Sequence, residues 1–89
     1  MVYILLGEGF EEAEAILPAD LLRRAGVEVS LVGLEGPVVT GSHGIAVTAD
    51  VTLEQVDAEA MEMLVLPGGL GGAVSYTHLR AHETVLDLV

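Results

Sequence analysis

Apolar residues occupy positions 2–6 without interruption and stop at Gly7. A run this short, closed by glycine, predicts a strand buried on both faces. The pattern then changes period. Ala13, Leu17, Leu21 and Ala25 recur every four residues with Ile16 beside them, which predicts a helix over 11–25 with one apolar face turned towards the sheet. Acids fill its first turn, Arg23 and Arg24 its last, and Gly26 follows; each suits the helix dipole or a glycine stop. Pro18 lies inside this helix and offers no N–H to the Glu14 carbonyl, so a kink is expected there.

Residues 27–34 alternate apolar positions with Glu28 and Ser30 and predict a second strand. Residues 38–40 and 45–48 flank Gly41-Ser42-His43-Gly44, the pattern of a small hairpin with a glycine-containing turn. Over 50–60, Leu53 and Val56 among acids predict a short helix started by Asp50 or Thr52. Residues 63–66 read as a third buried strand, ended by Pro67-Gly68-Gly69, and a glycine-rich loop continues to Gly72. Strand, helix and strand in succession make a βαβ unit, so the class is α/β with a parallel sheet.

Composition narrows this picture. Eighty-nine residues form one small domain at most. Hydrophobic residues make up 52% but aromatics only 3%, so the core has to be built from Val, Leu, Ile and Ala. Three basic residues stand against 14 acidic ones, a net charge of −11; nucleic acid and anionic membranes need a basic surface and are poor partners for it. No apolar run approaches the roughly 20 residues of a membrane span, and the short start lacks a basic flank. A cytoplasmic location is expected. With no cysteine, the chain carries neither a disulfide nor a thiol nucleophile.

The last segment departs from the rest. Residues 1–73 contain one His, one Tyr and two Arg, whereas residues 74–84 add two His, one Tyr and one Arg. That stretch, Val-Ser-Tyr-Thr-His-Leu-Arg-Ala-His-Glu-Thr, resembles one reading frame of a transposase mosaic-end sequencing adapter. The expected organisation is a domain portion over 1–73, an adapter-derived segment over 74–84 and a tail of uncertain origin over 85–89. His78 and His82 have the spacing of two zinc ligands on a helix, but no Glu completes an H-E-x-x-H motif and no third ligand is evident. No metal site is expected there.

The candidate chemistry lies behind the first strand, in Gly7-Glu8-Gly9-Phe10-Glu11-Glu12-Ala13-Glu14. Ligands of α/β folds bind at the carboxyl ends of strands, and this stretch follows such an end. Gly7-x-Gly9 is no dinucleotide fingerprint, because Glu12 takes the third glycine position and the loop acids would repel a pyrophosphate. No Gly-Lys-Ser/Thr follows Gly69, which excludes a P-loop. Glu8, Glu11 and Glu12 read as solvated. Glu14 shares a stripe with Leu17, Pro18 and Leu21, so it is expected to face the sheet with a raised pKa and to hold its proton. His43 reads as a surface or subunit-contact residue.

Residues 7–26, the Gly41-Ser42-His43-Gly44 turn and Leu64-Val65-Leu66-Pro67-Gly68-Gly69 together resemble the N-terminal part of the DJ-1/ThiJ/PfpI family. The resemblance runs from Met1 to about Gly72. It implies a flavodoxin-like parallel-sheet sandwich, here truncated to its N-terminal part, in a parent that is usually a homodimer. It also implies a stress-response protein with cofactor-independent glyoxalase or deglycase activity on dicarbonyls and glycated substrates. By the same resemblance Glu14 is the catalytic supporting acid beside a reactive cysteine, and Gly68 and Gly69 lend backbone N–H groups to an oxyanion site. That cysteine would lie roughly thirty residues beyond Gly69 on a strand-to-helix elbow, so the chain alone is expected to be inactive. Two alternatives stand beside this reading: a non-catalytic chaperone-like or oligomerising module, and a glutamine-amidotransferase-like relative.

Overall fold

The structure, a computed structural model, describes residues 1–69. In chain order the elements are β1 (Val2–Leu6), α1 (Glu12–Arg24), β2 (Val29–Gly33), β3 (Val38–Thr40), β4 (Ala46–Thr48), β5 (Val51–Thr52), two 3-10 turns (Leu53–Gln55 and Ala58–Ala60) and β6 (Met63–Val65). Four of the strands form a parallel sheet in the order β5-β2-β1-β6, while β3 and β4 pair antiparallel as a separate hairpin. The α/β class and the parallel sheet expected from the sequence are present.

All five residues of β1 are buried. Because side chains alternate across a strand, Val2, Ile4 and Leu6 enter one core with Phe10, Ala15, Ala19, Val29, Leu31 and Val39, whereas Tyr3 and Leu5 join Val32 on the opposite face. The helix and hairpin cover the first face. The 3-10 segment covers the second, through partly buried Leu53, Val56 and Met61, and Tyr3 Oη accepts a 3.0 Å hydrogen bond from Asp57 N–H.

The helix turns a different side to the sheet from the one expected. Leu17 and Leu21 are more than half exposed and Ala13 and Ala25 are exposed, while Glu12, Ala15 and Ala19 are buried and Leu22 packs at the core margin. Both stripes have helical spacing. The stripe of alanines wins because small side chains let the helix backbone settle close to β1 and β2. Pro18 does not interrupt the element, which runs unbroken from Glu12 to Arg24. At its end Gly26 N–H bonds to the Arg23 carbonyl and Val27 N–H to the Leu22 carbonyl, with Gly26 at φ +83°. This is a Schellman stop, and its left-handed residue explains the glycine.

Residues 50–60 correct the expectation of one short helix. They hold β5 and two 3-10 turns, the first closed by a capping box between Thr52 and Gln55. A strand of two residues is too short to leave a periodic signature. The strand over 63–65 is less buried than expected, with Met63 more than half exposed, because β6 lies at the edge of the described sheet.

Candidate active site at the β1/β6 crevice

The chain passes from β1 to β2 and on to β5 on one side of the sheet, then returns to place β6 on the other side of β1. Strand order therefore reverses between β1 and β6, and the crevice beyond such a reversal is where open α/β sheets bind ligands. Two segments meet there: residues 7–11, leaving β1, and residues 66–69, leaving β6. Glu11 N–H bonds to the Gly68 carbonyl at 2.8 Å, and Gly68 N–H bonds to Glu14 Oε1 at 2.7 Å. A Cβ on Gly69, which has φ +126°, would collide with the Gly9 carbonyl oxygen. Only glycine fits this approach.

Three of the sequence-predicted site residues are thus brought together, although not as expected. Glu14 is exposed and does not face the sheet, since the helix packs on its alanine side. Its Oε1 occupies the Gly68 N–H, so that N–H orients the acid instead of standing free as an oxyanion donor. Among the described residues, Gly69 N–H has no protein acceptor. His78 and His82 lie outside the described residues.

The acid buried in this segment is Glu12, contrary to the expectation that it is solvated. Its relative exposure is 7%, and it is the only buried charged residue among those described. Oε2 accepts hydrogen bonds from His43 N–H at 2.8 Å and Ile45 N–H at 3.2 Å, and Oε1 lies 3.1 Å from His43 Nδ1. Burial alone would raise its pKa, but its own backbone N–H, the His43 ring and the His43 and Ile45 amides outweigh that and lower it from 4.5 to about 2. A Cβ on Gly41 would run into the Glu12 carboxyl, which accounts for the turn glycine. The signal was present in the sequence: Glu12 continues the stripe of Ala15, Ala19 and Leu22 at spacings of three and four. Glu8 and Glu11 lie nearer the solvent, as expected, although Glu8 Oε2 also accepts Thr40 N–H at 3.1 Å.

On the hairpin side, Glu11, Glu12, Ala13, Ile16, His43 and Ile45 line an open cleft of about 520 Å³. Glu14 takes no part in it. Glu11, Glu12 and His43 present ligand atoms within 4.8 Å of one another, but a cation there would displace hydrogen bonds that both Glu12 oxygens already accept. The His43 ring is largely exposed, as expected for a surface position. Among the described residues no helix is long and apolar enough to cross a membrane.

The family model described as DJ-1/PfpI family matches residues 1–89. The chain belongs to the DJ-1/PfpI family. Protein dj-1beta of Drosophila melanogaster is 44% identical over 71 residues, covering 79% of the chain and 38% of that protein. Deglycase PfpI of Pyrococcus furiosus is 38% identical over 68 residues, covering 76% and 41%. Among solved structures, a cysteine-to-alanine mutant of the DJ-1 superfamily protein STM1931 from Salmonella typhimurium superimposes with a TM-score of 0.79 at 38% identity, covering 98% of the chain and 46% of that structure. The chain therefore spans less than half the length of these relatives. Its fold is the flavodoxin-like α/β fold of the DJ-1 superfamily.

Proposed function

We propose that the chain is the N-terminal part of a cysteine-dependent, cofactor-independent glyoxalase or protein deglycase that serves in cytoplasmic stress response. The observation that carries this reading is the hydrogen bond between Glu14 Oε1 and Gly68 N–H at the strand-order reversal. It is supported by family membership and by relatives named deglycase. In the proposed reaction a thiolate, supplied by sequence outside this chain, adds to the aldehyde carbon of a dicarbonyl, or to the carbonyl carbon that remains in a glycated adduct. The carbon–sulfur bond forms as the carbonyl π electrons move to oxygen. Gly69 N–H stabilises the developing oxyanion, and Gly68 contributes by orienting Glu14, whose Oε2 holds or delivers a proton beside the sulfur.

The chain has no cysteine, so purified 89-residue protein is expected to leave methylglyoxal unconsumed; turnover above the uncatalysed rate would reject the assignment of chemistry to a missing thiol. Amplifying the gene from unfragmented genomic DNA tests the other half. A downstream cysteine on a strand-to-helix elbow in place of the 74–84 codons supports the enzyme, and its absence supports a non-catalytic module.

The exposed face of α1 supports a homodimer. Ile16, Leu17 and Leu21 form an apolar stripe with Glu11 before its start and Arg24 at its end. Two such helices packed antiparallel would bury both stripes and set each Glu11 near the other copy's Arg24.

A further inference from the structure

Glu12 and Glu14 sit two residues apart, about 200° around the helix at about 100° per residue. They therefore grip opposite neighbours. On one side the segment before and inside the first turn is stitched to the hairpin: Gly9 N–H to the Thr40 carbonyl at 2.9 Å, Ser42 N–H to the Phe10 carbonyl at 2.8 Å, and the His43 and Ile45 amides to Glu12. On the other side it is stitched to the loop after β6 by Glu11 N–H and the Glu14 carboxylate. Glu11 at the N-cap makes no side-chain cap bond, so the helix start is held by these lateral ties.

We propose that Glu12 is a positioning residue for Glu14: its buried carboxylate anchors the first turn of α1 to the hairpin turn and so fixes where Glu14 meets Gly68. Glu12 itself is turned away from the β1/β6 crevice and takes no proton in the reaction. The proposal rests on the reading of Glu14 as the supporting acid, but its physical content, coupling between the His43 amide and the Gly68 amide through the helix start, is measurable without turnover.

The test is residue-resolved hydrogen–deuterium exchange on the 89-residue chain at micromolar concentration, with amides of β1 and β2 as internal standards. Glu12→Gln is expected to lower protection at His43, Ile45 and Gly68 by about tenfold relative to those standards. Glu12→Ala should lower it further. Gly41→Ala, which pushes on the Glu12 carboxyl from behind, should reproduce the Gly68 effect without altering either acid. Glu14→Ala, which removes the acceptor of Gly68 N–H, should lower protection most at Gly68 and, because coupling is reciprocal, by a smaller factor at His43 and Ile45. Loss of protection at His43 and Ile45 alone would make Glu12 a local turn clamp and overturn the proposal. Equal loss throughout β1 and β2 would make it a general stability residue and overturn the proposal as well. Failure of the enzyme reading would instead appear as unaltered methylglyoxal turnover by the intact gene product carrying Glu14→Gln.

Discussion

The two sides of the first turn of α1 use the same side chain for opposite purposes. On the hairpin side Glu12 is buried, with both oxygens taken up by partners on residues 43 and 45. On the crevice side Glu14 is exposed, and among the described residues a single backbone N–H holds one of its oxygens. A carboxylate whose acceptor capacity is filled by fixed donors is committed to its charge and its place. One with an oxygen left open among the described residues can take a further donor. Sequence proximity and residue type do not separate these roles; the number of fixed donors does.

This contrast can be broken from either side. The largest effect is expected from Gly69→Ala, which closes the crevice side. The new Cβ meets the Gly9 carbonyl oxygen at a backbone angle of φ +126°, and the combined clash and strain should cost about 3 kcal/mol or more. Chemical denaturation would show it as a lower midpoint; a change within error would mean the two loops do not approach as closely as described.

Next comes Glu12→Ala on the hairpin side, which orphans the His43 and Ile45 amides and empties a buried position. Its thermal midpoint should fall further than that of alanine at any of the other acids, Glu8, Glu11 and Glu14. A larger fall for Glu14→Ala would reverse the ranking.

The same acid gives a pH signature. Its folded pKa of about 2 lies below the ordinary 4.5, so the ionised form is favoured in the folded state. The stability it adds is present in full above about pH 4.5 and is lost as pH falls towards 2. Denaturant midpoints measured across that window should decline in the wild type and decline less in Glu12→Gln. Parallel curves would place the acid sensitivity elsewhere. The smallest effect is expected from Glu14→Gln, which retains an oxygen for Gly68 N–H at an exposed site: a stability change of about 0.5 kcal/mol or less. A loss comparable with Glu12→Ala would erase the distinction between the two carboxylates.

Much of the fold was legible because its strongest signals are local. The uninterrupted run of β1, the acid-to-base polarity of α1 with its Gly26 stop, and the hairpin around Gly41 to Gly44 all appear where their patterns place them. What failed was the choice of helix face. Leu17 and Leu21 are more hydrophobic than Ala15 and Ala19, yet packing density favoured the smaller pair, and that rotation carried Glu14 outwards and Glu12 inwards. The meeting of Glu14 with Gly68 links residues 54 positions apart; resemblance to a family put both at one site but gave the Gly68 N–H to an oxyanion and not to Glu14. Nothing short-range encodes that β6 returns beside β1. The two-residue β5 was hidden for a different reason, since two residues cannot display a period.

The return of β6 to the side of β1 also sets an order in time. Every part of the β1/β6 crevice described above lies within the first 69 residues, and chains leave the ribosome amino end first. In the proposed enzyme the acid and the glycine loop would therefore emerge ahead of the thiol. A nascent chain interrupted between them would carry the cradle without the reactive sulfur.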